Sequence, residues 1–217
     1  MSVIPPRRST EGVDPIMSKV IDHYYSLVSP WTYLGGPRLD AIARRAGALV
    51  DHKPADFGGI FAASGGLPLA RRAPQRQAYR LLELARWRDF LGAELNLRPG
   101  HLPAPDDLAA RVVVAAERAG ADAGRLSHAI LRAVWAEERD VADPGTLRDV
   151  AGESGLDGAA LLAAAGTGAV REEYAANTAE AIARGVFGAP SYVYRGELFW
   201  GQDRLDFLER ALAGDPG

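Results

Sequence analysis

The chain has 217 residues and a formal net charge of −3, a length that predicts one or two domains with a sizeable core and a charge that offers no electrostatic footprint for nucleic acid or an acidic membrane surface. No stretch approaches the roughly 20 apolar residues of a membrane span. Cysteine is absent, which excludes disulfides, thiolate metal sites, Fe–S clusters and a cysteine nucleophile of the protein's own.

Residues 1–17 hold Pro5, Pro6, Arg7, Arg8, Ser9 and Thr10 without an apolar core. They read as a mobile tail and not a secretory signal, with Met17 as an alternative start, and the expected location is cytoplasmic. His23, His52, His101 and His128 lie far apart, and none has an HxH or HxxxH spacing. They read as surface or core histidines, and no metal site is expected.

Val20–Tyr25 is rich in β-formers and reads as a first strand. Ser29 then supplies an N-cap and Pro30 a first helical residue. From Pro30 to Ala46 the apolar residues recur at helical spacing, Arg44 and Arg45 suit the last turn, and Gly47 suits the C-cap. Ala48–Pro54 predicts a second strand, giving a β-α-β unit with a right-handed crossover. Phe57–Pro68 is glycine-rich and weakly periodic, which predicts a loop with one helical turn. It lacks the Gly-Lys-Ser/Thr ending of a phosphate loop.

From Pro74 to about Gly185 the pattern is helical. Ala78, Tyr79, Leu82, Ala85, Arg86, Trp87 and Phe90 predict one lined face, and Pro105-Asp106-Asp107, Asp122, Asp143-Pro144 and Asp157 predict further helix starts. A last helix covers about 170–184. Strand character returns at Ser191–Tyr194 and Leu198–Trp200, which flank a glycine turn as a hairpin. Asp203 is expected to cap a final helix with Leu205, Leu208 and Leu212 inside. The order β-α-β, helices, β-β-α predicts an α/β, thioredoxin-like fold with a large all-helical domain inserted between its halves. The expected division is 18–56 and 185–213 for the thioredoxin-like part and 57–184 for the insertion.

Tyr25–Gly35, with Ser29-Pro30-Trp31-Thr32 at its centre, resembles the active-site stretch of the 2-hydroxychromene-2-carboxylate isomerases and of their relatives, the kappa-class glutathione transferases. Gly185–Ser191 and Leu198–Leu205 resemble the C-terminal signature of that DsbA-like family. Gly58-Gly59-Ile60-Phe61 and Leu84-Ala85-Arg86-Trp87 resemble two further blocks, so the likeness runs over about residues 19–213.

That resemblance implies a thiol-dependent site without redox chemistry, because Ser29 and Thr32 stand where redox members carry Cys-x-x-Cys. A thiol with a pKa near 8.5 is mostly protonated at neutral pH. The Ser29 hydroxyl at a helix N-terminus could stabilise the thiolate of glutathione, or of another low-molecular-weight thiol. On the residues alone, a plain cap is the favoured reading of Ser29.

The same resemblance implies a cis bond at Ala189-Pro190, with the Ala189 backbone pairing to the cysteinyl part of glutathione. Gln202 and Asp203 would hold the γ-glutamyl end. Arg76, where the family commonly has lysine, would meet the glycine carboxylate, with Arg71, Arg72 and Arg80 nearby. Trp31, Tyr33, Phe61 and Trp200 are candidates for an aromatic wall around a flat substrate. Two departures are Gly66, where an asparagine approaches the ligand, and Glu83 in place of an aspartate.

The implied activity is glutathione-dependent cis–trans isomerisation of 2-hydroxychromene-2-carboxylate or a related arylidene-pyruvate. A kappa-like transferase or peroxidase, and a non-catalytic thioredoxin-fold protein that binds peptides or thiols, are the alternatives. The implied partner is a small aromatic carboxylate, in a homodimer that engages neither nucleic acid nor membrane.

Overall fold

A computed structural model describes residues 19–214; the tail expected over 1–17 lies outside the described residues. A four-stranded sheet of order β2-β1-β3-β4 is built from β1 (Val20–Tyr25), β2 (Leu49–Pro54), β3 (Ser191–Tyr194) and β4 (Glu197–Trp200). β1 and β2 are parallel, as the α1 (Pro30–Ala46) crossover between them requires. β3 runs antiparallel to β1 and to β4. Arg195 and Gly196 both have positive φ, 51° and 83°, the geometry of a two-residue hairpin turn whose twist matches the strands.

Among the described residues the other α-helices are α2 (Phe57–Ser64), α3 (Pro74–Leu91), α4 (Asp107–Arg118), α5 (Ala123–Trp135), α6 (Pro144–Glu153), α7 (Gly158–Ala165), α8 (Gly168–Ala183) and α9 (Leu205–Ala213). Short polar side chains start several of them. Asp122 accepts from the Arg125 N–H, Asp143 from Thr146 and Asp157 from Ala160. The thioredoxin-like frame with its helical insertion is therefore the fold, but the two do not have separate cores. Tyr25, Leu27, Tyr33 and Leu34 from the frame pack in one cluster with Val113, Leu126, Ile130 and Trp135 of the inserted helices. A second cluster joins α1, β3 and α9 through Leu39, Ile42, Tyr192 and Leu208.

Three expectations are corrected. Residues 57–64 form α2 and not a loop: Asp56 caps it by accepting from the Gly58 N–H, and the buried Phe57 and Ile60 anchor it. On α3 most of the predicted lined face points outward, with Tyr79, Leu82 and Phe90 exposed and Leu84 the buried residue. Of the predicted face only Trp87 packs on the core, and α3 is anchored by Leu84 and Leu91 beside it, because helical spacing identifies a face but not its neighbour. Asp203 does not cap α9. It lies in a 3-10 turn, Gln202–Arg204, and α9 begins without a side-chain cap.

Candidate active site

Ser29 ends the loop after β1 in extended backbone, and its Oγ accepts the Thr32 N–H at 3.3 Å. Pro30 needs no partner for a missing N–H, so the first turn of α1 forms with few donors left over. The loop ahead of Ser29 is held from far along the chain. The Asp106 carboxylate accepts from Ser26 Oγ at 2.7 Å and from the Leu27 N–H at 2.9 Å. Burial pushes the Asp106 carboxyl above the usual range, while these two bonds pull it back.

Ser29 opens onto a cleft of about 840 Å³. It is lined by the β1–α1 loop with Trp31, by residues of α2 and α3, and by the segments 187–189 and 200–204. Of the residues singled out in the sequence, Ser29, Trp31, Phe61, Arg76, Ala189, Trp200, Gln202 and Asp203 all line it.

Pro190 lies buried behind Ala189. The Ala189-Pro190 peptide is cis, and the Pro190 carbonyl accepts the Gly201 N–H at 2.9 Å. Tyr33 is not in the cleft. It is 6 % exposed, stacks on His128 at 5.4 Å and donates its hydroxyl to the Glu94 carbonyl, because its position on α1 turns it into the helical core.

Two glycines let the walls approach. A Cβ at Gly35 would stand 2.8 Å from the Cβ of Gln202 and 3.0 Å from the Tyr192 hydroxyl, so α1 and the 202–204 turn meet only because residue 35 has no side chain. A Cβ at Gly66 would stand 2.6 Å from Phe61 Cδ1. The Phe61 ring therefore takes the space that a larger residue at 66 would need.

Phe187 and Trp200 pack with ring centroids 4.7 Å apart and planes tilted by 57°, an aromatic rim to the cleft. Trp87 also lines the cleft. The Arg38 guanidinium lies 5.8 Å above the Trp87 ring while donating to the carbonyl oxygen and Oε1 of Gln202, both at 2.9 Å.

The charge balance of the cleft is positive. Its two acidic residues already have partners: Glu83 with Arg86 at 2.6 Å and Asp203 with Arg204 at 3.0 Å. Arg72, Arg76 and Arg80 line the cleft with no acidic partner among the described residues. Burial, reinforced by Arg72, pulls the Arg80 guanidinium below its ordinary range. Asn177 and Thr178 stand away from the cleft and tie α8 to the end of β2, through the Pro54 carbonyl and the Asp56 N–H.

A cysteine-free serine site at the N-terminus of α1, beside a cis proline that precedes β3, defines a thioredoxin-fold protein of the DsbA type. The family model described as a DSBA-like thioredoxin domain matches residues 20–213, and the chain belongs to that family. A 2-hydroxychromene-2-carboxylate isomerase of Sphingobium xenophagum is 32 % identical over 197 residues, covering 90 % of this chain and 99 % of the relative. One of Pseudomonas putida is 29 % identical, covering 89 % and 94 %. A solved structure of a 2-hydroxychromene-2-carboxylate isomerase superposes with a TM-score of 0.74 at 27 % identity, over 90 % of this chain and 95 % of that one. Within the DsbA-like group the chain thus falls in the isomerase family.

The sequence pointed to most of these residues through motifs. It did not reveal Asp106 or Arg38, whose partners lie 79 to 168 positions away, nor Phe187 and Trp87 as lining residues. The last two sit inside motif blocks that could have marked them.

Proposed function

We propose that the protein is a glutathione-dependent cis–trans isomerase of 2-hydroxychromene-2-carboxylate or a related arylidene-pyruvate. The observation that carries this reading is a serine, not a cysteine, at the N-cap of α1, facing a cleft with aromatic walls and three arginines without acidic partners. The cleft volume suits a tripeptide thiol together with a small bicyclic acid.

The residues present fit such a thiol. The Ala189 N–H and carbonyl have no protein partner among the described residues, and they lie in the cleft, where an extended peptide can pair with them. Asp203 offers a carboxylate for an ammonium, and Arg76 offers a guanidinium for a carboxylate. When bound, glutathione supplies a nucleophile that adds reversibly to a conjugated double bond, so that the bond can turn before elimination.

The chain's own part is electrostatic and steric. Ser29 donates its hydroxyl hydrogen bond towards the sulfur, with the N-terminus of α1 behind it, and so favours the charged form. Trp31, Phe61 and Trp200 hold the flat substrate and exclude water. We place the protein in the cytoplasm as a homodimer on family likeness; fractionation and light scattering test this.

The decisive experiment follows the absorbance of 2-hydroxychromene-2-carboxylate with and without glutathione, beside a conjugation assay with a generic electrophile and a peroxide assay. Isomerisation that requires the thiol and outpaces both other reactions is the expected result. Faster conjugation or peroxide reduction would make it a kappa-like transferase or peroxidase. Retention on glutathione without any turnover would leave only a binding role.

A further inference from the structure

Arg72, Arg76 and Arg80 are more positive charge than one thiol ligand needs. If Arg76 meets the carboxylate of the thiol, as the proposed function has it, two guanidiniums remain without an anion. Arg80 lies one turn further along α3 than Arg76 and is partly buried, whereas Arg76 is exposed. The Arg80 guanidinium lies 5.8 Å over the ring of Trp135, which is itself 1 % exposed. Arg72 gives its Nε to the Leu67 carbonyl at 2.7 Å and rests 5.9 Å over Phe61, which leaves its terminal nitrogens available. A cation kept partly from water and given an aromatic face but no carboxylate is incompletely satisfied. A planar bidentate anion supplied from outside would complete it.

We propose that Arg80, assisted by Arg72, is the carboxylate site for the aromatic substrate and the reason the protein would select aryl acids over neutral enones. The assignment rests on the isomerase reading for the identity of the substrate, but its geometry concerns any aryl carboxylate. The two cations lie on the wall that also carries Phe61 and Trp87, so one ligand can place its ring on the aromatic surfaces and its carboxylate on the guanidiniums. The thiol would then lie along Ala189 and Asp203 and reach α3 only at Arg76, so the two ligands would use different guanidiniums.

The test separates this assignment from the isomerase reading itself. Tryptophan fluorescence titrations with cinnamate and with cinnamamide report binding whether or not the protein turns over any substrate. Wild-type protein should bind the acid roughly 10- to 100-fold more tightly than the amide, the range expected for a charge-assisted pair. Arg80→Gln should abolish that preference by weakening the acid alone, and Arg80→Lys should restore part of it. Arg72→Gln should have a smaller effect of the same sign. In turnover assays, the KM for the acid should rise by the same factor in Arg80→Gln, while the KM for glutathione stays within about twofold. Equal affinity of wild-type protein for acid and amide would overturn the assignment, as would a loss in Arg80→Gln that falls on glutathione. Should Arg80→Gln fail to fold, Arg80→Lys and Arg72→Gln decide the matter. An inactive wild-type protein that still prefers cinnamate would sink the isomerase reading and leave the carboxylate site standing.

Discussion

Replacing Ser29 by alanine removes two different things, and their sizes can be separated. The first is the cap. Ser29 Oγ accepts the Thr32 N–H at 3.3 Å, near the long end for such a bond, so the loss should fall towards the low end of the N-cap range, about 0.5–1 kcal/mol of stability. The second is the hydrogen bond to a bound thiolate, which as a charge-assisted bond contributes about 1.5–3 kcal/mol. That corresponds to a rise of about 1–2 units in the pKa of the bound thiol, and to a roughly 10- to 100-fold fall in kcat/KM where the thiol is mostly protonated.

The assay is the ultraviolet absorbance of thiolate in the glutathione complex, titrated with pH beside activity. Ser29→Asp completes the separation, because a carboxylate caps a helix as well as a hydroxyl does yet repels a thiolate. It should keep the Tm and lose the activity. Were Ser29→Ala to lower the Tm while thiol pKa and kcat/KM stayed within twofold of wild type, Ser29 would be a cap and nothing more.

Gly35→Ala should cost about 1–3 kcal/mol through overpacking against Gln202 and Tyr192, and should raise the KM for glutathione by displacing the 202–204 turn; an unchanged KM would show that the turn does not set thiol binding. Arg38→Met removes both bonds to Gln202 and leaves its carbonyl and Oε1 buried without a donor, which predicts a severalfold rise in the KM for glutathione with kcat at saturation preserved. A fall in kcat alone would count against this positioning role.

Acid should destabilise the protein through His23, which stacks between Tyr25 and Tyr192 with neither ring nitrogen bonded. Burial, with His52 adding to it, holds its pKa well below the ordinary value. The unfolded chain therefore takes up a proton near pH 6.5 that the folded chain refuses, and stability should fall by about 1.4 kcal/mol per pH unit as the pH drops below that point. His52, lowered by burial to about 4, acts in the same direction, although part of its side chain reaches the surface. Glu117, pushed up to about 7 by burial and then by Asp51, acts oppositely over nearly the same interval, so the two largely offset. Urea denaturation of His23→Phe between pH 4.5 and 6.5 should show higher stability and a flatter profile; a slope equal to wild type would exclude His23 as its source.

The frame of the fold was legible wherever local chemistry decides the outcome. Gly47 takes the left-handed conformation expected of a C-cap, at φ 62°. Asp122, Asp143 and Asp157 cap the helices they were expected to start. The hairpin turn follows from a glycine between two runs of β-formers. What stayed hidden depends on contacts between distant segments. Tyr33 and Trp31 are two residues apart on α1, but one turns into the helical core and the other borders the cleft. Residues two apart on a helix point to nearly opposite sides, so periodicity separates the pair, but it does not say which side meets the cleft. Asp203 looked like a cap because a short acidic residue precedes an apolar run. A 3-10 turn takes its place, at the point where Gln202 comes close to Gly35. The hold of Asp106 on the loop before Ser29 spans about 80 residues and has no local signature.

By the resemblance, Ser29 and Thr32 stand where redox members of the family carry sulfur, and Thr32 is buried with its hydroxyl unbonded. Neither residue can be oxidised to a disulfide or trapped by an alkylating agent. If the proposed thiol dependence holds, an oxidant that silences cysteine enzymes would find no sulfur in this cleft and would act first on the dissolved thiol. Turnover would then follow the ratio of reduced to oxidised thiol in the surroundings and recover when that ratio recovers, with no repair of the protein. A fold that elsewhere exchanges electrons would here respond to the redox state of its medium without exchanging any.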